Sequence, residues 1–296
     1  MDSVIRQIKG YLPLEVGEAL EQLPQAQQGR LEEVRLRMGC EVTTVIGGKE
    51  QPLSLRKPLI CTETMLHQLL NAGSGYSAFA ADETLRQGFL SLQGGHRIGF
   101  CGTAVVDHGA VVTLRALSSA NVRIARQWTG CADGILRELS STFGSTLMVG
   151  PPGCGKTTLL RDMVRQLSDR LEYRVGVVDS RGEVAACQDG MPQFQVGRRT
   201  DVISMIPKEA GMELLVRTMR PDWIAVDEIT SAEDVDAMVR VSYCGGRVLA
   251  TAHAFGLEDL SRRPLYRRFL DLGLFEQLIV LDQTQKPRLE RMDAIC

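Results

Sequence analysis

Apolar residues follow two regimes along the chain. From residue 146 onward, short unbroken apolar runs alternate with stretches of helical period. The runs at 146–150, 174–179, 223–227, 247–251 and 277–281 predict strands buried on both faces. Helical patterns separate them at 157–170, 208–219 and 231–243, with a shorter pair within 258–272. Strand alternating with helix predicts a parallel sheet covered on both sides. A last run at 287–292 predicts an added edge strand.

Upstream the pattern is mixed. A helix is predicted over 3–22, ending before Pro24. Leu31-Glu-Glu-Val-Arg-Leu-Arg37 alternates apolar with polar residues, as a half-buried strand does. Residues 42–46 predict a second strand, and Gly47-Gly48 then signals a hairpin. Segments 62–71 and 77–87 have helical character. Segments 88–92, 97–106, 111–114 and 120–124 read as strands and connectors, with no order assigned to them. The regimes meet at 127–132, where Trp128-Thr-Gly-Cys131 interrupts the periodicity. The expected division is an N-terminal α/β domain at 1–127 and a second domain at 128–296.

The most informative segment is Thr146-Leu-Met-Val-Gly-Pro-Pro-Gly-Cys-Gly-Lys-Thr-Thr158. It fits the phosphate-loop pattern G-x-x-x-x-G-K-[ST] and has the strand before and helix after that the pattern requires. Glycines let successive amides curl toward a polyphosphate, and the helix N-terminus adds its positive end. The expected nucleotide-binding residues are Gly150, Pro151, Pro152, Gly153, Cys154, Gly155, Lys156, Thr157 and Thr158. Lys156 is placed for the β- and γ-phosphates of ATP, and Thr157 for Mg²⁺.

Trp223-Ile-Ala-Val-Asp-Glu228 is a second element of the same kind: an apolar strand delivers acids to the sheet's C-terminal edge. Asp227 is expected to hold Mg²⁺ through water and Glu228 to polarise the attacking water. No N-K-x-D guanine-reading motif occurs, so ATP is the expected nucleotide. One predicted strand, 174–179, separates the two motif strands in sequence, which suits folds that insert an extra strand between them in space. Thr251-Ala-His253 ends another strand. His253 there is either a sensor of the γ-phosphate or a structural hydrogen-bonding group. Val177-Val-Asp-Ser-Arg-Gly-Glu183 is a third acidic tip, where Asp179 or Glu183 either assists metal and water or caps a turn.

Charge and cysteine usage narrow the setting. The net charge of −2 implies no general attraction to nucleic acid or acidic lipid. The eight cysteines are scattered with no C-x-x-C pair, which argues against a disulfide framework or a zinc site and for a reducing compartment. The first residues carry charge and lack the apolar core of a signal peptide. No apolar run has membrane-span character, so a membrane role is expected to come through a partner. Basic residues nevertheless cluster: between 86 and 126 there are five arginines, Arg86, Arg97, Arg115, Arg123 and Arg126, against Asp107 alone. They read as arginine fingers, as phosphate-backbone contacts or as a solvated basic face. Scarce aromatics nearby weigh against single-strand binding.

Together these segments resemble the secretion-type ATPases of type II and type IV secretion and pilus assembly. Leu214-Val-Arg-Thr-Met-Arg-Pro-Asp-Trp-Ile-Ala-Val-Asp-Glu228 is similar to their approach to the Walker B strand. Thr251-Ala-His253 is similar to their histidine box, and 179–183 to their aspartate box. Arg86-Gln-Gly-Phe89, Gly94-Gly-His-Arg-Ile-Gly99 and Ser118-Ser-Ala-Asn-Val-Arg-Ile-Ala-Arg126 resemble the sporulation stage III AA family within that group. The resemblance implies a RecA-like P-loop core behind a smaller α/β N-terminal domain. It also implies a cytoplasmic homo-oligomer, a hexamer, that works at the membrane through proteins of the mother cell–forespore channel. Lys156, Thr157, Glu183, Asp227, Glu228 and His253 are the site residues it carries over, with Arg97, Arg123 and Arg126 as fingers. The chain departs from many such motors in having Asp227, rather than glycine, before the Walker B glutamate, and in lacking a tetracysteine zinc insertion. A nucleic-acid-stimulated translocase and a nucleotide-gated scaffold are the alternatives.

Overall fold

A computed structural model describes residues 4–54, 57–77, 85–86, 88–139, 143–282 and 286–292. The chain forms two compact units, Met1–Arg126 and Gln127–Cys296.

The first unit opens with two helices, α1 (Val4–Lys9) and α2 (Leu14–Glu21), rather than the single helix the periodicity suggests. Gly10 and Pro13 are the reason. Pro13 has ψ 143° and caps α2 from an extended conformation, so the chain turns between them although Tyr11 and Leu12 continue the apolar pattern. A short helix α3 (Gln25–Gln28) leads into β1 (Leu31–Arg37), β2 (Thr43–Ile46) and β3 (Lys49–Pro52). Then come α4 (Glu63–Gly73), β4 (Phe89–Ser91), β5 (Arg97–Asp107) and β6 (Ala110–Arg123). The helix read at 77–87 lies largely outside the described residues.

All pairings in this sheet are antiparallel, in the order β3-β2-β1-β6-β5-β4. Segments 111–114 and 120–124 belong to one strand, β6, not two. Gly102 pairs with Leu117 and Thr103 with Arg115, so the bulge at Ala116 (φ 48°) disguises the continuity. Val34, Leu36, Ile98 and Val122 pack with Ile5, Ile8, Val16, Leu20, Leu66 and Leu69 into one core.

His96 is buried beside that core. Its Nε2 lies 2.9 Å from Gln7 Oε1, and its Nδ1 accepts the Ala125 amide at 3.0 Å. Burial holds the imidazole down to about 4. The unfolded chain therefore binds an extra proton between pH ~6.5 and ~4. The contribution is complete above the upper value and fades as pH falls, reaching about 3 kcal/mol at most. NMR titration should find His96 neutral at pH 5; a midpoint near 6.5 would contradict this.

The second unit comprises α5 (Asp133–Glu138), β7 (Thr146–Val149), α6 (Lys156–Asp169), β8 (Val175–Asp179) and β9 (Thr200–Ser204). It continues with α7 (Lys208–Met219), β10 (Trp223–Val226), α8 (Ala232–Tyr243) and β11 (Arg247–Ala252). α9 (Leu257–Arg262), α10 (Pro264–Asp271), β12 (Gln277–Leu281) and β13 (Pro287–Arg291) complete it. The strand order is β13-β12-β7-β11-β10-β8-β9, parallel except for the antiparallel edge strand β13. β11 thus separates β7 from β10.

Period-two alternation explains the double cover. Leu147, Val149, Ile224 and Val226 face one core with α8 and α10 residues Met238 and Phe269. Met148, Trp223 and Ala225 face the other with α6 residues Leu160, Met163 and Leu167. This topology brings the C-terminal tips of β7, β8, β10 and β11 to one edge of the sheet.

Candidate nucleotide-binding site

The loop between β7 and α6 owes its shape to three glycines. A Cβ on Gly150 would lie 2.6 Å from both the Leu281 carbonyl oxygen and Cys154 Sγ, so only glycine passes there. Gly153 and Gly155 take φ of 77° and 94°, which curls the backbone and starts α6 directly at Lys156. The 14-residue helix turns its unpaired amides and positive end toward the loop.

The loop borders a cavity of about 410 Å³. Pro152, Gly153, Gly155, Lys156, Thr157 and Thr158 form one wall. Glu183 comes from beyond β8, Asp227 and Glu228 from the tip of β10, and Thr251 and His253 from the end of β11. Gly150, Pro151 and Cys154 belong to the same loop but not to the cavity lining: Cys154 is buried, and the other two offer carbonyls to Lys156.

Lys156 Nζ donates to the Gly150 and Pro151 carbonyls at 2.8 and 2.9 Å and reaches His253 Nδ1 at 3.1 Å. Burial pulls the ammonium below the ordinary lysine range, while Asp227 and Glu228 push back. His253 Nε2 lies 3.2 Å from Glu228 Oε1. The Lys156 ammonium can only donate and the Glu228 carboxylate can only accept, so these partners suit Nδ1 as acceptor and Nε2 as donor. Glu228 Oε2 receives Arg181 at 2.6 Å.

Asp227 is held by two threonines. Thr157 Oγ1 donates to one carboxylate oxygen at 2.8 Å and Thr251 Oγ1 to the other at 2.5 Å. Thr251 Oγ1 also accepts the Glu228 amide at 2.8 Å. Glu228 has φ 52°, a left-handed conformation that costs a non-glycine residue energy and sets its side chain's direction. A hydroxyl and a carboxylate in contact are hard oxygen donors that suit Mg²⁺. Among the described residues no three His, Cys, Asp or Glu side chains form a metal cage, so a Mg²⁺ ion here would draw other ligands from water and phosphate.

The two acids after β8 play different parts. Asp179 is buried and accepts the amides of Glu183, Val184, Ala185 and Ala186 at 2.7 to 3.3 Å, so it builds the turn. From the other side, Arg161 of α6 donates to the Glu183 and Val184 carbonyls at 2.7 and 2.6 Å. Glu183 is thereby presented to the cavity. Asp179→Ala would strand several buried amides and is expected to destabilise this unit by ~3 kcal/mol or more, read from its urea midpoint. An unchanged midpoint would remove Asp179 from this role.

Residues 5–292 match the family described as sporulation stage III, protein AA. The chain belongs to that family. Stage III sporulation protein AA of Bacillus subtilis (strain 168) is 36% identical over 288 residues, which span 96% of this chain and 92% of that protein. The ycf45 protein of Cyanidium caldarium is 31% identical over 180 residues, 59% of this chain and 53% of that one. Among solved structures, the Legionella pneumophila ATPase DotB superposes with a TM-score of 0.62 at 19% identity, over 91% of this chain and 76% of that one. The pilus retraction motor PilT, solved with bound ADP, gives 0.61 at 18% identity, over 88% and 77%. These likenesses establish the fold: a RecA-like core preceded by an N-terminal domain.

Three arginines expected as fingers lie in the N-terminal unit. Arg97 stacks over Phe89 at 5.1 Å, and Arg123 sits 3.7 Å from Glu33. Arg126 donates to the Leu31 carbonyl at 2.8 Å. β-sheet register sets Glu33, Arg123 and Arg97 side by side across β1, β6 and β5. The sequence reading missed Thr251 as a hub, Arg181 as the partner of Glu228 and Arg161 as the support of Glu183.

Proposed function

We propose that the protein is an ATPase that binds Mg²⁺·ATP in the phosphate loop and hydrolyses it with water oriented by Glu228. The observation that carries this reading is the convergence of Lys156, Thr157, Asp227, Glu228 and His253 on one cavity at the strand tips. Loop amides and Lys156 bind the phosphates. Thr157 and Asp227 hold Mg²⁺, which when bound neutralises phosphate charge. Glu228 accepts a hydrogen bond from the attacking water. Glu183 assists from the opposite wall, and His253 responds to the γ-phosphate because it already contacts Lys156 and Glu228.

The working form is a homo-oligomer, a hexamer, in which Arg97, Arg123 or Arg126 of one subunit stabilises charge on a neighbour's nucleotide. Membership of the sporulation family supports a role in energising or assembling the mother cell–forespore channel. No helix among the described residues is long and apolar enough to cross a membrane. Likeness to the secretion-type ATPases supports a cytoplasmic protein, peripheral to the membrane through a partner.

Light scattering combined with phosphate release, with ATP alone, with DNA and with fragments of channel membrane proteins, tests this reading. The expected result is Mg²⁺-dependent turnover that DNA does not raise. Several-fold stimulation by DNA with steep salt dependence would instead indicate a translocase. Oligomerisation on ATP without turnover would indicate a scaffold.

A further inference from the structure

Glu228 is occupied on both sides. Arg181 meets Oε2 at 2.6 Å, and His253 Nε2 lies 3.2 Å from Oε1. Its backbone is fixed too, by the left-handed conformation and the amide bond to Thr251. Only the side chain can reorient, and two donors hold it. The hold by His253 is linked to nucleotide, because His253 contacts Lys156, which a bound triphosphate would recruit. The hold by Arg181 comes from the turn after β8, which Asp179 and Arg161 pin from both sides. The Arg181 side chain is 61% exposed, so solvent can hydrate the guanidinium when it leaves the carboxylate.

We infer that Arg181 is a latch that restrains Glu228 from facing its water, and that its release sets how fast the site hydrolyses ATP. The inference rests on the ATPase reading above and assigns Arg181 as a positioning residue that acts through Glu228. An exposed ion pair of this kind shifts a two-state equilibrium by no more than about fivefold. Arg181 also lines a separate open groove with Met205, Pro207 and Lys208, so a partner bound there would have direct access to the latch.

The test compares the full-length wild type with Arg181→Gln, Arg181→Lys, Glu228→Gln and the Arg181→Gln/Glu228→Gln double variant. It measures phosphate release at saturating ATP and equilibrium binding of a fluorescent ATP analogue. Arg181→Gln should raise kcat about two- to fivefold with KM within about twofold. Arg181→Lys, which keeps a cation in reach, should return kcat toward the wild-type value. The double variant should be no faster than Glu228→Gln alone. An Arg181→Gln protein that binds the analogue normally but shows lower or unchanged kcat, including none in both forms, overturns the latch. So does weakened nucleotide binding, or an equal gain in the Glu228→Gln background. A Lys156→Ala protein that binds the analogue as well as wild type is the separate result that defeats the nucleotide-site reading itself.

Discussion

Lys156→Ala is expected to reduce ATP turnover by roughly 10²–10³-fold and to weaken triphosphate binding as well. Among the described residues its ammonium is the only lysine charge at the cavity wall, and it sits 7% exposed at the first residue of α6. It bonds the loop's own Gly150 and Pro151 carbonyls. It is therefore preorganised within reach of an anion and exchanges two neutral acceptors for a charged one on binding. Alanine removes that charge and leaves the two carbonyls to water. The fold should persist, since Leu159, Leu160, Met163, Val164 and Leu167 still anchor α6 in the core. Circular dichroism and a thermal scan will distinguish lost chemistry from lost structure. Wild-type turnover in this variant would show that the loop is not where ATP reacts.

Glu228→Gln is expected to behave differently. Glutamine keeps the size and a carbonyl acceptor but no longer presents a carboxylate to water. Binding should stay within a few-fold of wild type, while hydrolysis falls about 10²–10⁴-fold. The variant should accumulate as an ATP-bound form, and ATP rather than ADP should be recovered from it after quenching. If hydrolysis persists and Glu183→Gln abolishes it instead, the water-orienting acid lies after β8 and not after β10.

The sequence makes the site's parts legible to unequal degrees. The phosphate loop and the Asp227-Glu228 tip are local signals: a few contiguous residues carry both the chemistry and the strand that delivers it. Parallel-strand positions in the second unit are equally plain, because burial on both faces leaves unbroken apolar runs such as 223–226. β9 escapes notice because Thr200-Asp-Val-Ile-Ser204 is an edge strand with every residue half-buried, so no apolar run marks it. Thr251 gains its role from register: Val226 pairs with Ala250, which sets Thr251 beside Asp227. Arg181 reaches Glu228 across 47 positions of sequence, a contact that only the pairing of β8 with β10 creates. Asp179 and Glu183 look alike as letters and separate only by burial. In the N-terminal unit, antiparallel pairing of β1 with β6 joins Glu33 to Arg123, and no local pattern announces so distant a partner.

The most direct test is a crystal structure of the full chain with Mn²⁺ and a non-hydrolysable ATP analogue, with data collected at the manganese absorption edge. The anomalous peak should lie against Thr157 Oγ1 with Asp227 in its coordination shell directly or through one water, and the analogue's phosphates should be bound to Lys156 and the loop amides. A peak remote from Thr157 and Asp227, or an analogue bound elsewhere on the molecule, would contradict the account.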